Sequence, residues 1–300
     1  MIKYEVHSLN LASTFALPEL CAMTVDQSVE ADAIIEVGEV PYTIPHEWAS
    51  ENGFLVGRNE ILVSIDGAAR YLIQEGKRII IQREPGAADE LVRAFLYGAA
   101  FSALLQQRRL MPLHASVVVI GERAIAFCGG TGHGKSTLAA AFAARGYAVL
   151  SDDKIVLRRS PDGLLAYPSP PVLSLNPAAA RATGQALINR VSDHKKFGKH
   201  CYLVPDAYGH TPTLLTHILV TKWVEDGVFD IEPLSPFQGL IELRQNITIG
   251  TLIGPLGFEA DFLQWTQDIM KYSRLFQLRR PKDFAQMDAG LDQIIACARS

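Results

Sequence analysis

The 300-residue chain has only four cysteines, and Cys21, Cys128, Cys201 and Cys297 are scattered without a C-x-x-C pair. That spacing argues against a zinc site and against a disulfide scaffold, and it fits a reducing cytoplasm. Excess charge of either sign is small, with a formal net charge of −4, so no bulk attraction to nucleic acid or to an anionic membrane is expected. No apolar stretch is long and uncharged enough to span a bilayer. The first residues also lack the basic, apolar, small-residue order of a secretory signal. Internal repeats and low-complexity segments are missing too. The expectation is a cytoplasmic protein with neither nucleic acid nor membrane as partner, and a homo-oligomeric assembly is left open. What is present is an ordinary globular composition, 48% hydrophobic and 20% charged, in a chain long enough for one large or two ordinary domains.

The chain is organised around Cys128-Gly129-Gly130-Thr131-Gly132-His133-Gly134-Lys135-Ser136-Thr137. The apolar run Ala124-Ile125-Ala126-Phe127 precedes it and Leu138-Ala139-Ala140-Ala141-Phe142 follows it, which reads as strand, loop, helix. Residues 129–136 satisfy G-x-x-x-x-G-K-[ST], whose backbone N–H groups wrap a phosphate chain at the positive end of a helix. Residues 129–137 are therefore expected to bind nucleotide. The glycines give close backbone approach, Lys135 reaches the terminal phosphates, and the Ser136 hydroxyl ligates Mg2+. Thr137 is read as supporting the loop.

Residues 116–120 and 124–127, turning at Gly121-Glu122-Arg123, are expected to be hairpin neighbours. The loop helix is expected to run to about Ala144 and stop at Arg145-Gly146. The next apolar strand ends in Ser151-Asp152-Asp153. Adjacent residues of an extended segment point to opposite sides, so these carboxylates can take two roles, one as proton acceptor and one at a metal. His114, at the entry to strand 116–120, could border the same pocket, although a lone His there is more often a satisfied core group.

Upstream, residues 34–37, 53–56, 61–65, 71–73 and 78–81 read as short strands of an antiparallel β-rich module. Residues 88–109 read as one long helix. Downstream, residues 177–186, 258–272 and 291–298 read as helices and 201–204, 214–220 and 228–231 as strands. Between them, the basic run 190–200 offers Lys195, Lys196 and Lys199 as charges over the phosphates, or else is a solvated loop.

Taken together, Leu113-His114-Ala115-Ser116, the loop and Ser151-Asp152-Asp153 resemble the catalytic domain of HPr kinase/phosphorylase and its relatives, which include the serine kinases of lasso-peptide gene clusters. The similar region covers about residues 111–160, with weaker likeness to the end of the chain. The resemblance implies an α/β protein whose P-loop kinase domain, residues 111–300, is related to ATP-dependent phosphoenolpyruvate carboxykinase. A linking helix, 88–110, would join it to a smaller β-rich module, 1–87. It further implies Asp152 as the catalytic aspartate, His114 as the histidine before the loop, and Lys135 and Ser136 as nucleotide and Mg2+ residues, with Asp153 as a second aspartate for metal or structural support. Thr131 stands where typical members have Ser, Thr137 where they have an acidic residue, and no Glu-Ile-Arg-Gly-Leu-Gly-like segment follows the aspartates. A Pro-rich run, residues 167–177, occupies that place. These departures point away from HPr as acceptor and from the reverse phosphorylase reaction. The expected activity is ATP-dependent phosphorylation of a serine in another peptide or small protein. The alternatives are a small-molecule hydroxyl as acceptor, or a nucleotide-responsive binding module with no acceptor. ATP and GTP are not distinguished.

Overall fold

In the computed structural model, residues 1–45, 49–51, 53–184, 190–194, 199–204, 207–225 and 227–300 are described. They form a mixed α/β structure with three sheets. Two compact units are present: Met1–Pro112 with Thr248–Gln264, and Leu113–Ile247 with Trp265–Ser300. Among the described residues no helix is long and apolar enough to cross a membrane.

The first unit carries an eight-stranded sheet. Its leading hairpin, Ile2–Val6 with Leu9–Ser13, turns through His7 and Ser8, both at positive φ (55° and 65°). Two-residue turns of this hand favour Asn and Gly, so His-Ser gives no turn signal in the sequence. The expected all-antiparallel pairing is corrected here, because Ala33–Val37 runs parallel both to Leu9–Ser13 and to Arg78–Arg83. A connection through the short turn Pro18–Met23 brings the chain back to start the parallel strand, and parallel pairs require such a crossover. The expected long helix is a continuous helical stretch made of Asp89–Phe95, a π-turn at Leu96–Ala100, and Phe101–Gln107. Beside it the Tyr71 hydroxyl donates to the Val92 carbonyl at 2.7 Å, and the buried Arg93 and Glu19 pair at 2.9 Å. The returning segment is held to this unit by Gln106, whose Nε2 donates to the Thr248 and Ile249 carbonyls at 2.8 and 3.0 Å.

The second unit is built on the strand Thr213–Val224. The loop strand Arg123–Cys128 lies parallel to it, with Cys128 opposite Val220. Arg274–Pro281 is also parallel to it, with Trp223 opposite Arg280. Ser116–Ile120 forms the expected hairpin with the loop strand, and Ala148–Ser151 pairs outside it. Alternation places the side chains on two faces. Ile125 and Phe127 join Leu138, Phe142, Leu291 and Ile294 in one core, while Ala124, Ala126 and Cys128 join Leu150, Ile155, Ile218 and Val220 in the other. The loop helix Lys135–Ala144 and the final helix Met287–Arg299 cover the first of these faces. A three-stranded sheet is formed by Val172–Leu175, which lies within the Pro-rich run, with Lys199–Leu203 and Arg190–His194. The expected helix at 177–186 is described as Pro177–Ala182, capped by Asn176, whose side chain accepts from the Ala179 N–H at 2.8 Å.

Candidate active site

The glycine-rich loop leaves its strand at Cys128 and enters its helix at Lys135. The first intrahelical bond is Leu138 N to Gly134 O at 3.0 Å, so the amides of Lys135, Ser136 and Thr137 precede the helical ladder. Gly134 stands at φ 82°, and a Cβ there would lie 2.8 Å from Arg280 Nη1. Gly129, at φ 131°, would place a Cβ 2.6 Å from the Thr221 carbonyl. Both positions admit glycine alone, for conformation and for space.

The centre strand explains how the loop is held. Past Val220, which faces Cys128, it continues through Thr221, Lys222, Trp223 and Val224, beside Leu278 to Pro281 of the neighbouring strand. This overhang supplies a floor. The Thr221 hydroxyl donates to the Cys128 carbonyl at 2.8 Å, and the His133 ring donates from Nδ1 to the Thr221 carbonyl at 2.9 Å. Trp223 Nε1 donates to the Gly132 carbonyl at 2.8 Å, and Arg280 Nη1 to the Gly134 carbonyl at 3.1 Å. From the other side, Asn246 Oδ1 accepts the Gly129 N–H at 2.7 Å. Lys135 is buried, with Nζ donating to the Gly129 and Gly130 carbonyls at 2.7 and 3.3 Å. Burial lowers its pKa from the ordinary lysine value.

Asp152 and Asp153 lie in a bend just past the strand Ala148–Ser151 rather than on the expected extended segment, and they take different partners. Asp152 is 6% exposed. Its Oδ1 accepts from the Ser116 hydroxyl at 2.6 Å and its Oδ2 from the Ser174 N–H at 2.7 Å, and it is also hydrogen-bonded with Ser136 of the loop helix. Burial pushes its pKa up to about 6, against the pull of those donors and of the Lys199 charge. A carboxylate offers about four acceptor positions, so three donors leave room for one more. The Asp153 side chain is 59% exposed and pairs with the buried Lys154 ammonium. Its packed surroundings would raise its pKa, but Lys154 and His114 outweigh them and hold the carboxyl well below the usual range. His114 Nδ1 donates to the Asp153 carbonyl at 2.8 Å and lies 3.5 Å from Asp153 Oδ1. A carbonyl only accepts, so Nδ1 carries a proton.

The structure thus gathers Lys135, Ser136, Asp152, Asp153 and His114 into one place. Thr131 and Gly132 are exposed along the loop, whereas Thr137 is buried beneath it. Lys199 opens a strand of the three-stranded sheet, and its charge acts on both Asp152 and Lys135. Lys195 and Lys196 lie outside the described residues. Among the described residues no three His, Cys, Asp or Glu side chains converge as a metal cage. The donors at the loop are the Ser136 hydroxyl and carboxylate oxygens, a hard oxygen set that suits Mg2+, whose other positions phosphate oxygens and water commonly fill.

Five residues of this site carry no local sequence signal of a role here: Ser174, Thr221, Trp223, Asn246 and Arg280. Only Asn246 is partly foreshadowed. The Ser235-Pro236 start with Gln238 makes a capping box for the helix Pro236–Gln245, and Asn246 is its C-cap. That the side chain then reaches Gly129, 117 residues away, is a tertiary fact.

No protein-family model matches the chain. No curated protein matches it. Among solved structures the chain is similar to the Hpr(Ser) kinase/phosphatase from Coxiella burnetii, at 15% identity and a TM-score of 0.29, over 63% of this chain and 93% of that one. A likeness that loose assigns no residue a role, and the functional reading rests on the site itself.

Proposed function

We propose that this protein is a phosphotransferase of the HPr kinase-like kind, moving the terminal phosphoryl group of Mg–ATP to the hydroxyl of a serine in a peptide or small protein. The observation that carries the reading is the buried Asp152 carboxyl, its pKa near 6, set beside Lys135 and Ser136 of a glycine-rich loop. A loop that only bound phosphate would not need a carboxylate tuned to take a proton near neutral pH.

In this reading the loop amides and the Lys135 ammonium hold the phosphate chain, with Ser136 and Asp153 toward the metal. Mg2+, when bound, neutralises charge on the phosphate oxygens. Ionised Asp152 accepts the proton of the acceptor hydroxyl as that oxygen bonds to the terminal phosphorus. The bond from phosphorus to the bridging oxygen of ADP breaks, and ADP leaves with the electron pair. His114, with Nδ1 committed to the Asp153 carbonyl, holds that turn of chain beside the site. Positioning and electrostatics supply the acceleration, since the nucleotide brings the reactive bond.

The test is mass spectrometry after incubation with Mg–ATP and a panel of serine peptides, HPr and small hydroxyl compounds, with Asp152→Asn as control. A gain of about 80 Da on a peptide or protein, lost with Asp152→Asn, is expected. Gain on small hydroxyl compounds alone moves the acceptor class to small molecules. ATP binding with no phosphorylated acceptor favours a nucleotide-responsive binding module.

A further inference from the structure

Arg280 is among the largest fully buried side chains, at 1% exposure. No carboxylate among the described residues pairs with it, and its Nε has no hydrogen-bond partner there. Its guanidinium lies 4.5 Å from the centre of the Trp223 ring and 5.7 Å from that of Phe229, and Nη1 donates to the Gly134 carbonyl. A buried, unpaired cation is costly unless something supplies negative charge, and stacking on aromatic faces recovers only part of that cost. The charges at the start of the loop helix add to that cost. Gly134 is the N-cap of the loop helix, whose N-terminal end is itself positive, and the next residue is the buried Lys135. On the acidic side, Asp153 is already matched by Lys154.

We infer that Arg280 is a charge held in reserve for the anion on the loop: it destabilises the free protein and is compensated only when a nucleotide phosphate chain binds to residues 129–137. Arg280 does this as a positioning residue, through the Gly134 carbonyl it fixes and the field it adds, and not by touching the phosphates. Trp223 completes the device, because the same ring stacks on Arg280 and donates to the Gly132 carbonyl, so one strand pair sets the arc from Gly132 to Gly134. The inference rests on the phosphate-binding half of the proposed function and is independent of the acceptor.

The experiment compares the parent with Arg280→Met, Arg280→Lys and Lys135→Ala in two measurements, the melting temperature of the free protein and calorimetric binding of Mg–ADP. Arg280→Met removes the charge and keeps an apolar stem. The free variant should melt higher, on the order of 2–4 °C, as replacement of an uncompensated buried charge by an apolar group often allows. The same variant should bind Mg–ADP roughly tenfold more weakly, the effect of one charge within reach of an anion at an effective dielectric of about 20. Arg280→Lys, which keeps the charge, should stay closer to the parent in both.

A purely structural Arg280 gives a different pattern, with melting temperature and affinity falling together, and that result overturns the inference. Unchanged affinity in Arg280→Met overturns it as well. If Arg280→Met fails to fold, Arg280→Gln carries the same expectation, and failure of both to fold shows the charge to be needed by the free protein and ends the idea. No Mg–ADP binding by the parent would instead remove the phosphate-binding reading together with this one. Binding lost in Lys135→Ala but kept in Arg280→Met removes only this one.

Discussion

Asp152 and Asp153 show how far two adjacent, chemically identical residues can be driven apart. One is enclosed by Ser116, Ser174 and Ser136 with its pKa pushed up to about 6, and the other is open to solvent and held ionised by Lys154 and His114. Carboxyl groups whose environments push their pKa values apart are suited to separate roles. The sign of the pH dependence follows. Asp152 must be ionised to accept a proton, and its folded pKa is raised, so transfer by the free enzyme should rise with pH through about 6 and level off above it. Below pH 6, kcat/KM should fall about tenfold per pH unit. A profile flat from pH 5 to 8 would remove Asp152 as the base. Burial likewise pushes the Cys128 thiol up to about 12, so this cysteine should resist alkylation although it adjoins the loop.

Among the elements, the loop is made by its strand and helix but positioned by others. The helix Pro236–Gln245 ends at Asn246, which bonds to the Gly129 amide through its side chain and, through its carbonyl, to the His114 amide at 2.6 Å. One C-cap residue therefore ties the loop to the histidine. Asn246→Ala should strip the buried Gly129 N–H of its partner, at a cost of about 1–3 kcal/mol. Denaturant unfolding should show that loss, and calorimetry should show weaker Mg–ADP binding, because the loop then has to be ordered by the ligand. Parental affinity in that variant would show that the Asn246 contact does not organise the loop. The first half of the loop's surroundings was legible, since hairpin, strand, glycine run and Ala-rich helix adjoin in sequence. The overhang of Thr213–Val224 beyond Val220 was not, because strand length past a partner depends on register, and register is a property of the assembled sheet.

At the scale of the whole molecule, the first unit is discontinuous. Thr248–Gln264 belongs with Met1–Pro112, through Gln106 to the Thr248 and Ile249 carbonyls, Thr248 N to the Pro112 carbonyl, and Arg109 to Asp261. A cut after Pro112 therefore does not separate the units cleanly. Residues 113–300 produced alone should be cleaved within 248–264 by limited proteolysis under conditions in which the full chain is spared there. Equal resistance in both would show that this segment does not depend on the first unit.

The sequence by itself determined the local features. Period-two alternation set the two faces of the loop strand, and the glycine run set a turn only glycine can make. Each depends on residues a few positions apart, where the covalent chain dictates geometry. Tertiary structure alone decided that Trp223 and Arg280, 91 and 146 residues from the loop atoms they bond, underlie it. It also decided that Ser116 and Ser174, 36 and 22 residues away, enclose Asp152, and that Ala33–Val37 pairs in parallel. Burial, pKa shift and sheet register arise only when distant segments exclude water together, and no window of sequence contains both partners.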